Sequence, residues 1–171
     1  MNRLSILSIS AMTALGLALA PGAALGQQKS LKDQLVGTWT LVSAENVAPD
    51  GTKRQLFGAN PKGILTLDSG GRFTQMTLRA DRPKFKVSDR LQGTPEEYAA
   101  AVRGTAASYG TWSVDEASKT ITLRIEGSLL PNQDGTEGKR SIVSLTADEL
   151  RWLNAAAASG GKSENVYKRA K

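Results

Sequence analysis

Gly63-Ile64-Leu65-Thr66-Leu67-Asp68-Ser69-Gly70-Gly71-Arg72-Phe73-Thr74-Gln75-Met76-Thr77-Leu78-Arg79 decides the fold class. Two runs of alternating character flank a Ser-Gly-Gly turn, the pattern of a β-hairpin, because side chains alternate between the two faces of a strand and glycine permits the tight reversal. The same period of two governs the chain on either side. Residues 36–47 form a long run opening with Gly37-Thr38-Trp39, followed by turn chemistry at Pro49-Asp50-Gly51 and a short extended piece over 53–57. Further runs at 109–114, 120–127, 140–145, 150–155 and 163–169 are separated by breaks such as Ser118-Lys119 and Asp148-Glu149. The expectation is an all-β fold, a single antiparallel up-and-down β-barrel of 8–9 strands over residues 35–171.

One segment breaks the period. Thr94-Pro95-Glu96-Glu97 places an N-cap threonine, a first-turn proline and a glutamate at the third helical position, which together form a capping box. Tyr98, Ala101, Val102, Thr105 and Ala106 then recur at helical spacing, predicting one short α-helix over about 95–107. Laid across a barrel end or flank, such a helix uses Tyr98 for packing.

The N-terminus reads as an address. Arg3 precedes an uncharged apolar run from Leu4 to Ala20, Pro21 breaks it, and Ala24-Leu25-Gly26 sets small residues before Gln27. This is the three-part secretory signal, with residues 1–26 removed and the protein secreted or periplasmic. The run falls short of the roughly 20 residues that span a bilayer core, so no integral membrane anchor is expected after cleavage. Residues 27–34 are expected to be a flexible lead-in.

Composition narrows the chemistry. The 171-residue chain has no histidine and no cysteine. That removes Ser-His-Asp and Cys-His nucleophiles, the usual zinc ligands and any disulfide framework. No metal site, cofactor or catalytic residue is assigned. The net charge of +6 is spread along the chain rather than focused with stacking aromatics, so no nucleic-acid partner is expected.

Beyond these patterns the chain resembles a known group. Leu35-Val36-Gly37-Thr38-Trp39 is similar to the Gly-x-Trp opening strand of lipocalins. After it come, in order, Gly63-Ile64-Leu65, the Gly70-Gly71-Arg72-Phe73 hairpin, Asp81-Arg82-Pro83 and Gly93-Thr94-Pro95-Glu96-Glu97-Tyr98. Glu126-Gly127-Ser128-Leu129-Leu130-Pro131-Asn132 and Val166-Tyr167-Lys168-Arg169 complete the set, which resembles the bacterial and fungal lipocalin-like domain family, a calycin-like barrel. The resemblance implies a closed barrel with a small internal cavity, and Trp39 closing one end against a cation from the last strand, Arg169 or Lys168. It does not imply one activity. Members often carry histidine on the strand before the glutamate and tryptophan after Pro-Asn; here those places hold Leu123-Arg124 and Gln133, which weakens an enzymatic reading.

Arg124 and Glu126 share a strand face with Thr122, opposite Ile121, Leu123 and Ile125. That polar face is either the wet exterior or the lining of a wet cavity. Arg140 opens the next strand, where it could pair with Glu126, and Tyr109 and Trp112 lie on a neighbouring one. If Arg124, Glu126 and Arg140 point inward, they anchor a small hydrophobic or amphipathic ligand with an acidic head, with Tyr109 and Trp112 beside it. The leading expectation is thus an exported small-molecule-binding barrel. Two alternatives stand beside it: an isomerase- or cyclase-type enzyme using Glu126 as acid/base, and a filled barrel acting through its outer surface. The processing expectation has a direct check: N-terminal sequencing of the exported form should start at Gln27, and an intact Met1 would refute it.

Overall fold

The computed structural model of the chain describes residues 29–158 and 160–171. The expected signal peptide lies outside the described residues. Nine strands, all antiparallel, follow in chain order: β1 (Gly37–Val47), β2 (Lys53–Arg54), β3 (Lys62–Leu67), β4 (Arg72–Leu78), β5 (Thr105–Asp115), β6 (Thr120–Ser128), β7 (Glu137–Leu145), β8 (Glu149–Asn154) and β9 (Lys162–Arg169). From β3 to β9 each strand pairs with the next, and β1 pairs with both β3 and β9. Eight strands therefore close into an up-and-down barrel, and the two-residue β2 adds to the edge of β1. Closure leaves no long edge to template aggregation.

Among the described residues two α-helices accompany the barrel, α1 (Leu31–Leu35) and α2 (Pro95–Arg103), with a 3-10 turn at Pro131–Gln133. Within the stretch expected as lead-in, α1 is ordered by a Ser30 cap that accepts from the Asp33 amide, and its Leu35 is fully buried. The capping box of α2 forms as read: Thr94 accepts from the Glu97 amide and Glu97 accepts from the Thr94 amide. The helix stops at Gly104, short of the expected 107. Thr105 and Ala106 join β5 instead, opposite Leu78 and Thr77. Pairing along the sheet overrides the helical preference of alanine. Tyr98 packs the preceding loop, donating to the Arg90 carbonyl, accepting from the Gly93 amide and lying 5.6 Å from the Phe85 ring.

The core fills only one end. Leu35, Trp39, Leu65, Leu67, Phe73, Trp112, Ile121, Leu123 and Leu150 are all buried and packed together there. Trp39 is its centre. Its indole N–H donates to the Leu35 carbonyl at 2.9 Å, and the Arg169 guanidinium lies 4.0 Å from the centre of its ring. Arg169 also donates to the carbonyls of Gln34, Val36 and Ala147. One cation thereby satisfies backbone acceptors at the end of α1, on the lead into β1 and before β8. Gly37 makes room: its φ is +137°, and a Cβ there would stand 2.7 Å from Arg169 Nη1. Strain and collision both forbid a side chain, which explains the glycine of the Gly-x-Trp strand.

Among the described residues no helix is long and apolar enough to cross a membrane. Gly37→Ala should lower stability by displacing Arg169, and Trp39→Ala should cost about 3–5 kcal/mol as a buried large-to-small aromatic change. Urea unfolding measures both; a loss under about 1 kcal/mol for Trp39→Ala would contradict the closure.

Candidate functional site

β-Bulges decide which side chains enter the open half of the barrel. In β1, Trp39 and Leu41 face inward, but the register shifts between Leu41 and Ser43. The extra residue leaves Val42 exposed and turns Ala44 and Asn46 inward. In β6, Gly110 pairs with Ile125 while Tyr109 pairs with Gly127, so Glu126 is the additional residue and Ser128 faces in after Ile125. The inward series then runs from apolar to polar on strand after strand. Phe73 gives way to Gln75 and Thr77 on β4, Trp152 to Asn154 on β8, and Tyr167 to Asn165 and Ser163 on β9.

These residues surround a cavity of about 880 Å³ that opens at the end opposite Trp39. Ile125, Trp152 and Ala44 contribute apolar wall; Leu56, Phe57, Val102, Leu129 and Leu130 line the mouth together with Arg79, Arg82 and Arg103. At the inner end, the Tyr167 hydroxyl accepts from Gln75 Nε2 at 3.2 Å and Asn165 Nδ2 at 3.4 Å. The Tyr167 ring meets Trp152 edge-on, with centroids 5.1 Å apart. Burial raises the phenol well above the ordinary tyrosine range, so Tyr167 is a neutral hydrogen-bonding group across physiological pH.

Arg140 is the charged member of this floor. It stands opposite Ile121, which is fully buried, and directly opposed residues share a face. Its guanidinium is surrounded by protein, yet water reaches it through the cavity, so it is only partly shielded. Burial disfavours its charged form and lowers its pKa from the ordinary arginine value, with Tyr167 acting in the opposite sense. Among the described residues its side chain makes one protein hydrogen bond, Nη1 to the Lys139 carbonyl at 2.9 Å. Among the described residues no carboxylate pairs with it.

The expected trio does not assemble. Arg124 and Glu126 point to solvent, and only Arg140 enters the cavity. Arg124 pairs with Glu137, its neighbour across β6 and β7. Glu126 receives both terminal nitrogens of Arg72, at 2.6 and 2.8 Å, on the outer wall. Those bonds hold its carboxyl below the usual glutamate range. The physical reason is the one the alternation offered: Ile121, Leu123 and Ile125 claim the inside, leaving the opposite face to water. An acid/base role for Glu126 on a molecule in the cavity is thereby removed. Tyr109 is also outside, half exposed with its ring over Gly127. Trp112 is inside but in the closed end, its indole N–H donating to the Asp68 carbonyl at 3.0 Å, apart from the cavity lining. Trp39 and Arg169 are brought together as described above, while Lys168 is exposed.

Sequence reasoning missed Gln75, Thr77, Tyr167 and Asn165. The signal was present as polar residues at inward positions of β4 and β9, whose alternation is unbroken and whose other inward residues are apolar.

Eight antiparallel strands closed at one end by tryptophan and arginine, and hollow at the other, define a lipocalin-type barrel. The chain belongs to the lipocalin-like domain family, whose model matches residues 36–169. No curated protein matches it in sequence. Among solved structures it is similar to a lipocalin-like protein from Bacteroides uniformis (14% identity, TM-score 0.43, covering 80% of this chain and 99% of that one). It is also similar to a de novo designed fluorescence-activating β-barrel (10% identity, TM-score 0.43, 84% and 100%). A variant of the fluorescent protein UnaG matches at 16% identity with a TM-score of 0.37, covering 81% and 98%.

The raised Tyr167 pKa has a signed consequence. The folded state holds a proton that the unfolded chain releases near pH 10, so this contribution is intact below that pH and declines as pH rises through the interval up to the folded value. In Tyr167→Phe the alkaline loss of stability should be shallower by up to about 1.4 kcal/mol per pH unit. Denaturant midpoints measured upward from pH 9 check it, and identical slopes in the two proteins would refute it.

Proposed function

We propose that this protein binds a small amphipathic molecule inside its barrel, and does so outside the cytoplasm. The observation that carries the reading is the half-filled interior. At about 880 Å³ the cavity falls within the roughly 300–1,000 Å³ of small-molecule sites, and it combines apolar walls with a few convergent polar groups. Filling that space with leucine and phenylalanine would add stability at about 0.8 kcal/mol per buried CH₂. The chain instead places amides, hydroxyls and a guanidinium there, a cost that binding explains. The segment 1–26, with its apolar run and small-residue cleavage site, supports action outside the cytoplasm.

Binding is favoured over catalysis by what the cavity contains. It holds no histidine or cysteine, since the chain has none. Its two lining carboxylates are already paired near the mouth, Asp81 with Arg79 and Glu45 with Lys53. Tyr167 is buried among hydrogen-bond donors that hold its oxygen in place. Such a set orients a ligand more readily than it exchanges protons with one.

Fluorescence titration with a polarity-sensitive apolar dye tests the reading. Ser108 lines the cavity from β5. The wild type should bind one dye per chain, and Ser108→Trp, which fills the space, should weaken binding about tenfold or more with circular dichroism unchanged. Equal binding by both proteins would place the dye elsewhere and overturn the proposal.

A further inference from the structure

We infer that the cavity takes a singly charged anionic amphiphile head first, with its carboxylate-like group on the floor formed by Arg140, Gln75 and Asn165 and its apolar body toward the mouth. This rests on the cavity-binding reading above and adds the ligand class and its orientation. Three observations converge on it.

The first is an uncompensated charge. Removing a guanidinium from bulk water is costly unless it is paired and hydrogen-bonded. Arginine has five N–H donors, and among the described residues Arg140 gives one protein hydrogen bond, to the Lys139 carbonyl. The remaining donors meet the cavity rather than a carboxylate. A planar oxyanion matches their fork geometry and supplies the missing countercharge.

The second is the pair of neutral amides beside it. Gln75 and Asn165 direct their amide N–H groups at the Tyr167 oxygen. Tyr167 is buried behind them, whereas both amides line the cavity, where each side-chain nitrogen keeps a second N–H for a ligand. One cation flanked by neutral amides suits a single carboxylate better than a doubly charged phosphate. Gly138 keeps the cation in place: it precedes Arg140 by two on the same face, and a Cβ there would stand 2.9 Å from Arg140 Nη1.

The third is the direction of the polarity. Trp152 touches Tyr167 and so marks the floor. The mouth offers Leu56, Phe57, Leu129 and Leu130 to a chain leaving the barrel, while of the arginines there Arg79 is already paired with Asp81 and Arg82 is bonded to the Arg79 carbonyl and the Thr105 hydroxyl. An amphiphile entering tail first would set its apolar end against Arg140, Gln75 and Asn165, stripping them of water without replacement bonds.

Calorimetry with dodecanoate and dodecan-1-ol, which share a chain and differ in the head, tests the charge at neutral pH. The wild type should prefer the carboxylate by about tenfold or more, the scale of a charged hydrogen bond. Arg140→Gln should abolish that preference. Gly138→Ala, which pushes the guanidinium aside without removing its charge, should reduce it. Stearate carrying a nitroxide near the carboxylate or near the tail end tests orientation. The near label should quench Trp152 more strongly, with Trp152→Phe supplying the background from the other two tryptophans. Equal affinity for acid and alcohol in the wild type, or stronger quenching by the far label, overturns this inference while cavity binding stands. Failure of both probes where the apolar dye still binds overturns it as well. Failure of probes and dye together overturns the cavity reading itself.

Discussion

The guanidinium of Arg169 on the face of Trp39 is the contact on which the rest of the structure depends. It joins the last strand to the first and, through three carbonyls, ties both to α1 and to the turn before β8. A cation over an indole contributes about 0.5–2 kcal/mol, and here the same cation also donates to the backbone carbonyls of Gln34, Val36 and Ala147. Gly37 is the condition for that approach. Because the knot sits where β1 begins and β9 ends, it fixes the register of the seam that closes the barrel, from Trp39 opposite Arg169 to Val47 opposite Lys162.

That register determines where the hollow lies. With Arg169 committed to the closed end, the inward positions of β9 moving toward the open end are Tyr167, Asn165 and Ser163. Each carries a polar group into the space where a filled barrel would carry apolar ones. β4 and β8 repeat the gradient. Stability is thus concentrated in one half, around Trp39 and its leucine neighbours, and the other half is free to be shaped for a ligand. The division is physical as well as functional: the apolar end tolerates no vacancy, whereas the polar end retains water-accessible donors whose partners come from outside the chain.

Much of the fold was legible because it rests on periodicity and turn chemistry. The Ser69-Gly70-Gly71 hairpin, the capping box at Thr94 and the Gly-x-Trp strand all act locally. The site was less legible, since which face of a strand looks inward depends on register, and a single bulge inverts it. Arg124 and Glu126 were read correctly as sharing a face, but the alternation could not say that the face was outer until Ile121, Leu123 and Ile125 were seen filling the core. Arg140 was placed inside for a reason the sequence did not contain, its pairing opposite Ile121. Tyr167 was noticed only as part of the closing motif, although its parity with Arg169 already put it on the inner face.

One barrel has a sealed end and a receptive end, and the three tryptophans report on them separately. Trp39 and Trp112 donate to carbonyls in the sealed half, whereas Trp152 lines the cavity. Nuclear magnetic resonance of the three indole N–H groups, followed while an amphipathic carboxylate is added, measures the division directly. The Trp152 signal should move, with saturation at one equivalent, while those of Trp39 and Trp112 stay in place; movement of Trp39 and Trp112 with Trp152 unchanged would refute the division.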